Sequence, residues 1–73
     1  MTMQEKLNFE SKESAKTSIV NLSLMLQSAA ARDYPSADYY KIESARFGAK
    51  AVIERILADL LTSKKEKLPV QNL

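Results

Sequence analysis

Seventy-three residues without cysteine, histidine or tryptophan make one domain at most, exclude disulfides, and remove the thiolate and imidazole ligands of most zinc sites. Eleven basic residues against nine acidic give a formal charge of +2. The first 33 residues balance in sign, so the excess sits in Lys64-Lys65-Glu66-Lys67; a nucleic-acid binder is expected to carry a basic stripe along one face instead.

No stretch approaches the ~18 apolar residues of a membrane span, and Met1 to Lys6 lacks the apolar core of a signal peptide, so a soluble cytoplasmic protein is expected. Below about 70–80 residues a single core contributes only a few kcal/mol. With disulfides excluded, oligomerisation or docking on a partner is the remaining route to stability, and a homodimer is the expected form.

Thr2-Met3-Gln4-Glu5 has the capping-box pattern, Thr followed three residues later by Glu. Asn8 and Ser11 are rival N-caps. Ser11, Ser14, Thr17 and Ser18 are mediocre helix formers, because their hydroxyls compete for backbone hydrogen bonds. The first helix is therefore placed at about residues 8–32, with fraying over its first turns. Gln4 to Phe9 also has the Gln-x-x-Leu-x-Phe look of peptides that dock on sliding clamps; Leu7 and Phe9 covering the end of a bundle is the simpler account.

From Ala15 to Arg32 the helical period is clear. Ala15, Ile19, Leu22, Leu26 and Ala29 fall at alternating spacings of four and three, with Met25 and Ala30 widening the stripe. Asn21-Leu22-Ser23 matches a glycosylation acceptor, but inside an apolar helical run it is read as chance. Asp33-Tyr34-Pro35-Ser36 supplies the turn. Proline disfavours helical geometry at Tyr34, and Ser36 is placed as the cap of the next helix, with Asp38 in its first turn.

The second helix is placed at about residues 37–64, followed by a flexible tail over 65–73 set off by Pro69. Its main stripe is Ile42, Ala45, Ala49, Val52, Ile53, Ile56 and Leu60, joined by Tyr39 and Leu57. Opposite charges at helical spacing support it: Asp38 with Lys41, Glu43 with Arg46, Lys50 with Glu54, and Arg55 with Asp59. Each such pair is worth about 0.2–0.5 kcal/mol. The fold class is all-α, an antiparallel two-helix hairpin in which the main stripes face each other. On that assignment Ile56→Asp buries an unpaired charge and unfolds the chain.

Further apolar residues are left over: Val20, Leu24 and Ala31 on the first helix, and Tyr40, Phe47, Ala51 and Ala58 on the second. Two hairpins dimerising into a four-helix bundle would use this second stripe. A groove or ridge for a different protein is the competing account, with aromatic anchors. The candidate protein-interface residues are Val20, Leu24, Tyr40, Phe47 and Ala51, with Arg46 and Lys50 as rim charges. Phe47→Asp is accordingly expected to weaken association and leave the hairpin helical. Gly48 costs about 1 kcal/mol relative to Ala inside a helix; beside Ala45, Ala49 and Ala51 it reads as a packing notch.

Without His or Cys, the commonest general base and the thiol nucleophile are missing. The Glu-x-x-His of di-metal bundles cannot occur, and there is no glycine-rich phosphate loop. The expected function is that of a non-enzymatic interaction or regulatory protein, without cofactor or metal, that binds another protein through an apolar helical face. The alternative is a nucleic-acid-binding hairpin dimer. Arg46 and Lys50 lie one turn apart and Tyr39 or Phe47 could stack on bases, although Glu43 and Glu54 flank them. That alternative resembles the small RNA-binding hairpin dimers of plasmids, a likeness of architecture alone. A third reading is a structural subunit of a larger assembly.

Overall fold

The computed structural model describes the backbone of residues 1–71 and the side chains of residues 1–63. It is an antiparallel helical hairpin in which α1 (Met3–Ala30) packs on α2 (Tyr34–Gln71). The molecule extends 61 × 22 × 12 Å, and no third layer covers what the two helices turn outward.

The first helix begins at Met3, earlier than the placement at residue 8. Thr2 Oγ1 accepts from the Glu5 backbone N–H at 3.1 Å, and the Glu5 carboxylate accepts from the Thr2 N–H at 3.1 Å. This reciprocal box satisfies donors that a helix start otherwise leaves unpaired. The same hydrogen bonds hold the Glu5 carboxyl below its ordinary value of 4.5.

At the other end of α1, the Asp33 N–H donates to the Ser28 carbonyl at 2.8 Å and the Arg32 N–H to the Ala29 carbonyl at 3.0 Å. These are the paired bonds of a Schellman motif. The left-handed residue it requires is Arg32, with φ 60°, where glycine is usual. Asp33 then caps α2 in place of Ser36. Its side chain accepts from the Ser36 N–H at 3.3 Å, and its carbonyl accepts from the Ala37 N–H at 3.0 Å. Starting at Tyr34 puts Pro35 in the first turn, where a missing N–H forfeits no helical bond.

The second helix is assigned through Gln71, past the end expected near residue 64. Lys64 to Leu68 are strong helix formers, which propagate the backbone further; Pro69, expected to end the helix, lies within it, and nothing in the structure explains why it does not break there. Asn72 and Leu73, the end of the expected tail, lie outside the described residues.

The larger correction concerns which faces meet. On α1, Leu7, Ser11, Ser14, Ser18, Asn21, Met25 and Ser28 alternate at four and three, and all are buried or half-buried. On α2, Ala37, Tyr40, Ser44, Phe47, Ala51, Glu54 and Ala58 do the same. These two rows form the seam. The stripes expected there point away from it: Ile19, Leu22 and Leu26 on α1 and Ile42, Val52, Ile53, Ile56 and Leu60 on α2 are 45–67 % exposed. Tyr40, Phe47, Ala51 and Ala58, expected outside, line the inside. Small side chains let two helix backbones come close, and here that closeness is exploited by hydroxyls rather than by hydrocarbon.

Candidate functional site

Two surfaces bear on function, the polar seam and the apolar exterior. In the seam, Ser11 Oγ donates to the Ala51 carbonyl at 2.8 Å, and Ser18 Oγ donates to the Ser44 carbonyl at 2.7 Å. Seven residues forward on α1 match seven back on α2. Ser44 Oγ returns the bond to the Ser18 carbonyl at 2.8 Å. A helical carbonyl keeps a second lone pair after its own helix bond, and the hydroxyls use it. Such reach demands close backbones, and Gly48 permits it: a Cβ there would meet Ser18 Oγ at 3.2 Å.

One turn away, Ser14 Oγ donates to Glu54 Oε1 at 2.8 Å. Lys50 Nζ lies 3.1 Å from Glu54 Oε2 and 3.4 Å from Ser14 Oγ. Ser14 is 3 % and Glu54 7 % exposed. Burial pushes the Glu54 carboxyl up, but the Ser14 hydroxyl and the Lys50 ammonium outweigh it and hold the group below its ordinary 4.5. Every buried side-chain nitrogen and oxygen among the described residues has a partner. With no pocket beside it among those residues, the Ser14–Lys50–Glu54 cluster is a clasp between helices. The described residues hold no group of three carboxylates placed for a metal ion, and no helix among them is long and apolar enough to cross a membrane.

The exterior is organised as well. On α2, Tyr39, Ile42, Arg46, Ala49, Ile53, Ile56 and Leu60 repeat the three–four alternation on the side turned away from α1, and all are exposed. On α1, Ala15, Ile19, Leu22, Leu26 and Ala29 form a shorter exposed row. Three of the four expected ion pairs form, Glu43–Arg46 at 2.9 Å, Lys50–Glu54 at 3.1 Å and Arg55–Asp59 at 3.5 Å; Asp38 and Lys41 do not join. Glu13–Lys16 adds another at 3.4 Å.

The seven residues singled out from sequence are scattered by this arrangement. Ala51 is buried in the seam, where it has no surface to offer. Tyr40, Phe47 and Leu24 are half-buried, with the Tyr40 ring edge-on to Tyr39 at 5.3 Å. Lys50 is committed to Glu54. Val20 stands outside at 56 % exposure, and Arg46 is exposed but paired with Glu43. Sequence reasoning took Ser11, Ser14 and Ser18 for fraying positions and Glu54 for a solvated ion-pair partner, and gave none of them, nor Ser44, a place between the helices; the signal was the spacing of the serines, which matches a seam as well as any leucine row does.

Set against known protein families, curated proteins and solved structures, the chain finds no match. The functional reading therefore rests on its own geometry.

Proposed function

We propose that this chain is a non-enzymatic protein-interaction module whose binding surface is its outward apolar face, and that two hairpins associate into a four-helix assembly by covering that face. One observation carries the reading. The buried apolar residues among those described are Ala37, Ala51 and Ala58, while Ile19, Leu26, Ile42, Ile53, Ile56 and Leu60 remain half exposed or more. Fully burying one Leu or Ile side chain is worth about 1.5–3 kcal/mol. The hairpin alone collects little of this, and association supplies the rest. A surface of this kind binds and regulates; it does not transform a substrate. The charges support the same reading over nucleic-acid binding, because Arg46, Lys50, Arg55 and Lys16 each lie against an acidic neighbour on their own helix and present no continuous basic stripe.

The test is Ile56→Asp alongside Ile42→Asp, both on the outward row of α2 and both more than half exposed. Both variants are expected to keep their helical circular dichroism while losing association by light scattering and most binding of an apolar dye. Loss of helicity at every protein concentration would return these side chains to an interior and overturn the reading.

A further inference from the structure

We infer that the outer row of α2 is a homotypic seam, along which a second copy of this chain lies antiparallel across a two-fold axis at Ala49. The inference rests on the interaction reading above and specifies its partner. First, Tyr39, Ile42, Arg46, Ala49, Ile53, Ile56 and Leu60 alternate by three and four without a break. That spacing is the pattern by which one helix receives the knobs of another, so the occupant is a helix. At 22 residues the row runs about 33 Å, against 15 residues for the row on α1.

Second, the row is self-complementary. Ile42 and Ile56 each lie seven residues from Ala49. An antiparallel copy therefore sets Ile42 against the partner's Ile56, and the reverse, with alanine against alanine on the axis, where close approach needs small side chains. Contact of this isologous kind closes at two copies. Arg46, the single charge in the row, is neutralised by Glu43 at 2.9 Å, whose side chain is only 17 % exposed. A lone polar position in a helix seam fixes orientation and alignment.

Third, what the row leaves uncovered is largely hydrocarbon: Tyr39, Ile42, Ile53, Ile56 and Leu60 are each more than half exposed, and contact outside the hairpin is what removes that surface from water. Because this row faces away from α1, the helices stack in the order α1, α2, α2 of the copy, α1 of the copy. Ile19, Leu22 and Leu26 then stay on the outside.

The chain has no cysteine, so single-cysteine variants report proximity cleanly. Ala49 and Leu22 both occupy exposed helical positions. Light scattering should return twice 8.2 kDa at high concentration, and Ala49→Cys should oxidise to a covalent dimer at least about tenfold faster than Leu22→Cys, because the axis brings that cysteine against its own mate. Ile53→Asp should raise the dissociation constant about a hundredfold with helicity retained. Faster cross-linking of Leu22→Cys, or a doubled mass with neither variant cross-linking, overturns the α2 seam while self-association stands. A mass of 8.2 kDa at every concentration overturns any second copy and with it the four-helix assembly; the outward-face reading is then decided separately by whether Ile56→Asp loses binding of the apolar dye with helicity retained.

Discussion

The seam inside the hairpin and the outward row of α2 share one helix and one spacing, yet they are built from opposite materials. Serine and alanine make up most of the first, beside Leu7, Met25, Tyr40 and Phe47, and hydroxyl-to-carbonyl bonds of 2.7–2.8 Å join it. Isoleucine, leucine and tyrosine dominate the second and stay more than half exposed. The difference separates two jobs usually done by the same side chains. Hydrogen bonds contribute only about 0.5–1.5 kcal/mol net each but are directional, so the seam sets how the helices sit. Apolar burial is non-directional and large, and in the proposed assembly it comes from association; on that proposal the hairpin is marginal alone and gains stability when bound.

That contrast can be broken first at Gly48. Gly48→Leu forces a side chain against Ser18, which cannot swing away without losing Ser44, and should cost about 3 kcal/mol. Ala45→Leu, on the exposed side, should change hairpin stability by less than about 0.5 kcal/mol. Urea unfolding compares them, and equal costs would erase the distinction between the two faces. Ser14→Ala removes the hydroxyl from the buried Glu54 and should cost about 2 kcal/mol, read by the same titration. Arg32→Gly relieves a left-handed residue with a side chain and should gain about 1 kcal/mol; a loss would mean the Arg32 side chain contributes more than its backbone costs.

The smallest effect is with pH. Glu54 has a folded-state pKa below 4.5, so its contribution is complete above 4.5 and is lost as pH falls through the depressed value. Glu5, also lowered, acts in the same direction. Thermal unfolding should therefore become easier as the solution is taken from neutral to well below 4.5, and the dependence should shrink in Ser14→Ala. An unchanged profile in that variant would remove Glu54 from the account.

The hairpin itself is legible in the sequence. Two long helical periods, a single break and the capping box at Thr2 suffice for it, and three of four ion pairs follow from spacing; the break, expected at residues 33–36, falls at residues 31–33, with Tyr34 to Ser36 already helical. The facing is not legible by hydropathy, because each helix carries two rows of the same period and transfer free energy ranks the wrong one as interior. Ser11, Ser14 and Ser18 illustrate why. Their hydroxyls compete with the backbone when a helix stands alone, which reads as fraying; beside a second helix at close range they bond across to it. With the interior misplaced, Tyr40, Phe47 and Ala51 fell on the wrong side, and Val20 alone among the apolar candidates stands clear. Ser36 and Asp33 are both capping residue types, and choosing between them needed the path of the Schellman turn.

Glu54 has one further consequence. The small residues on both helices recur every seventh position, so a hairpin slipped by one repeat would still mesh, and chains with such rows risk becoming trapped out of phase while folding. Slippage by seven in one direction would place the Glu54 carboxylate opposite Leu7 instead of Ser14. Desolvating it there without a donor is unfavourable, which sets that slipped state at a disadvantage. One buried charge thus acts as a proofreader against that slip.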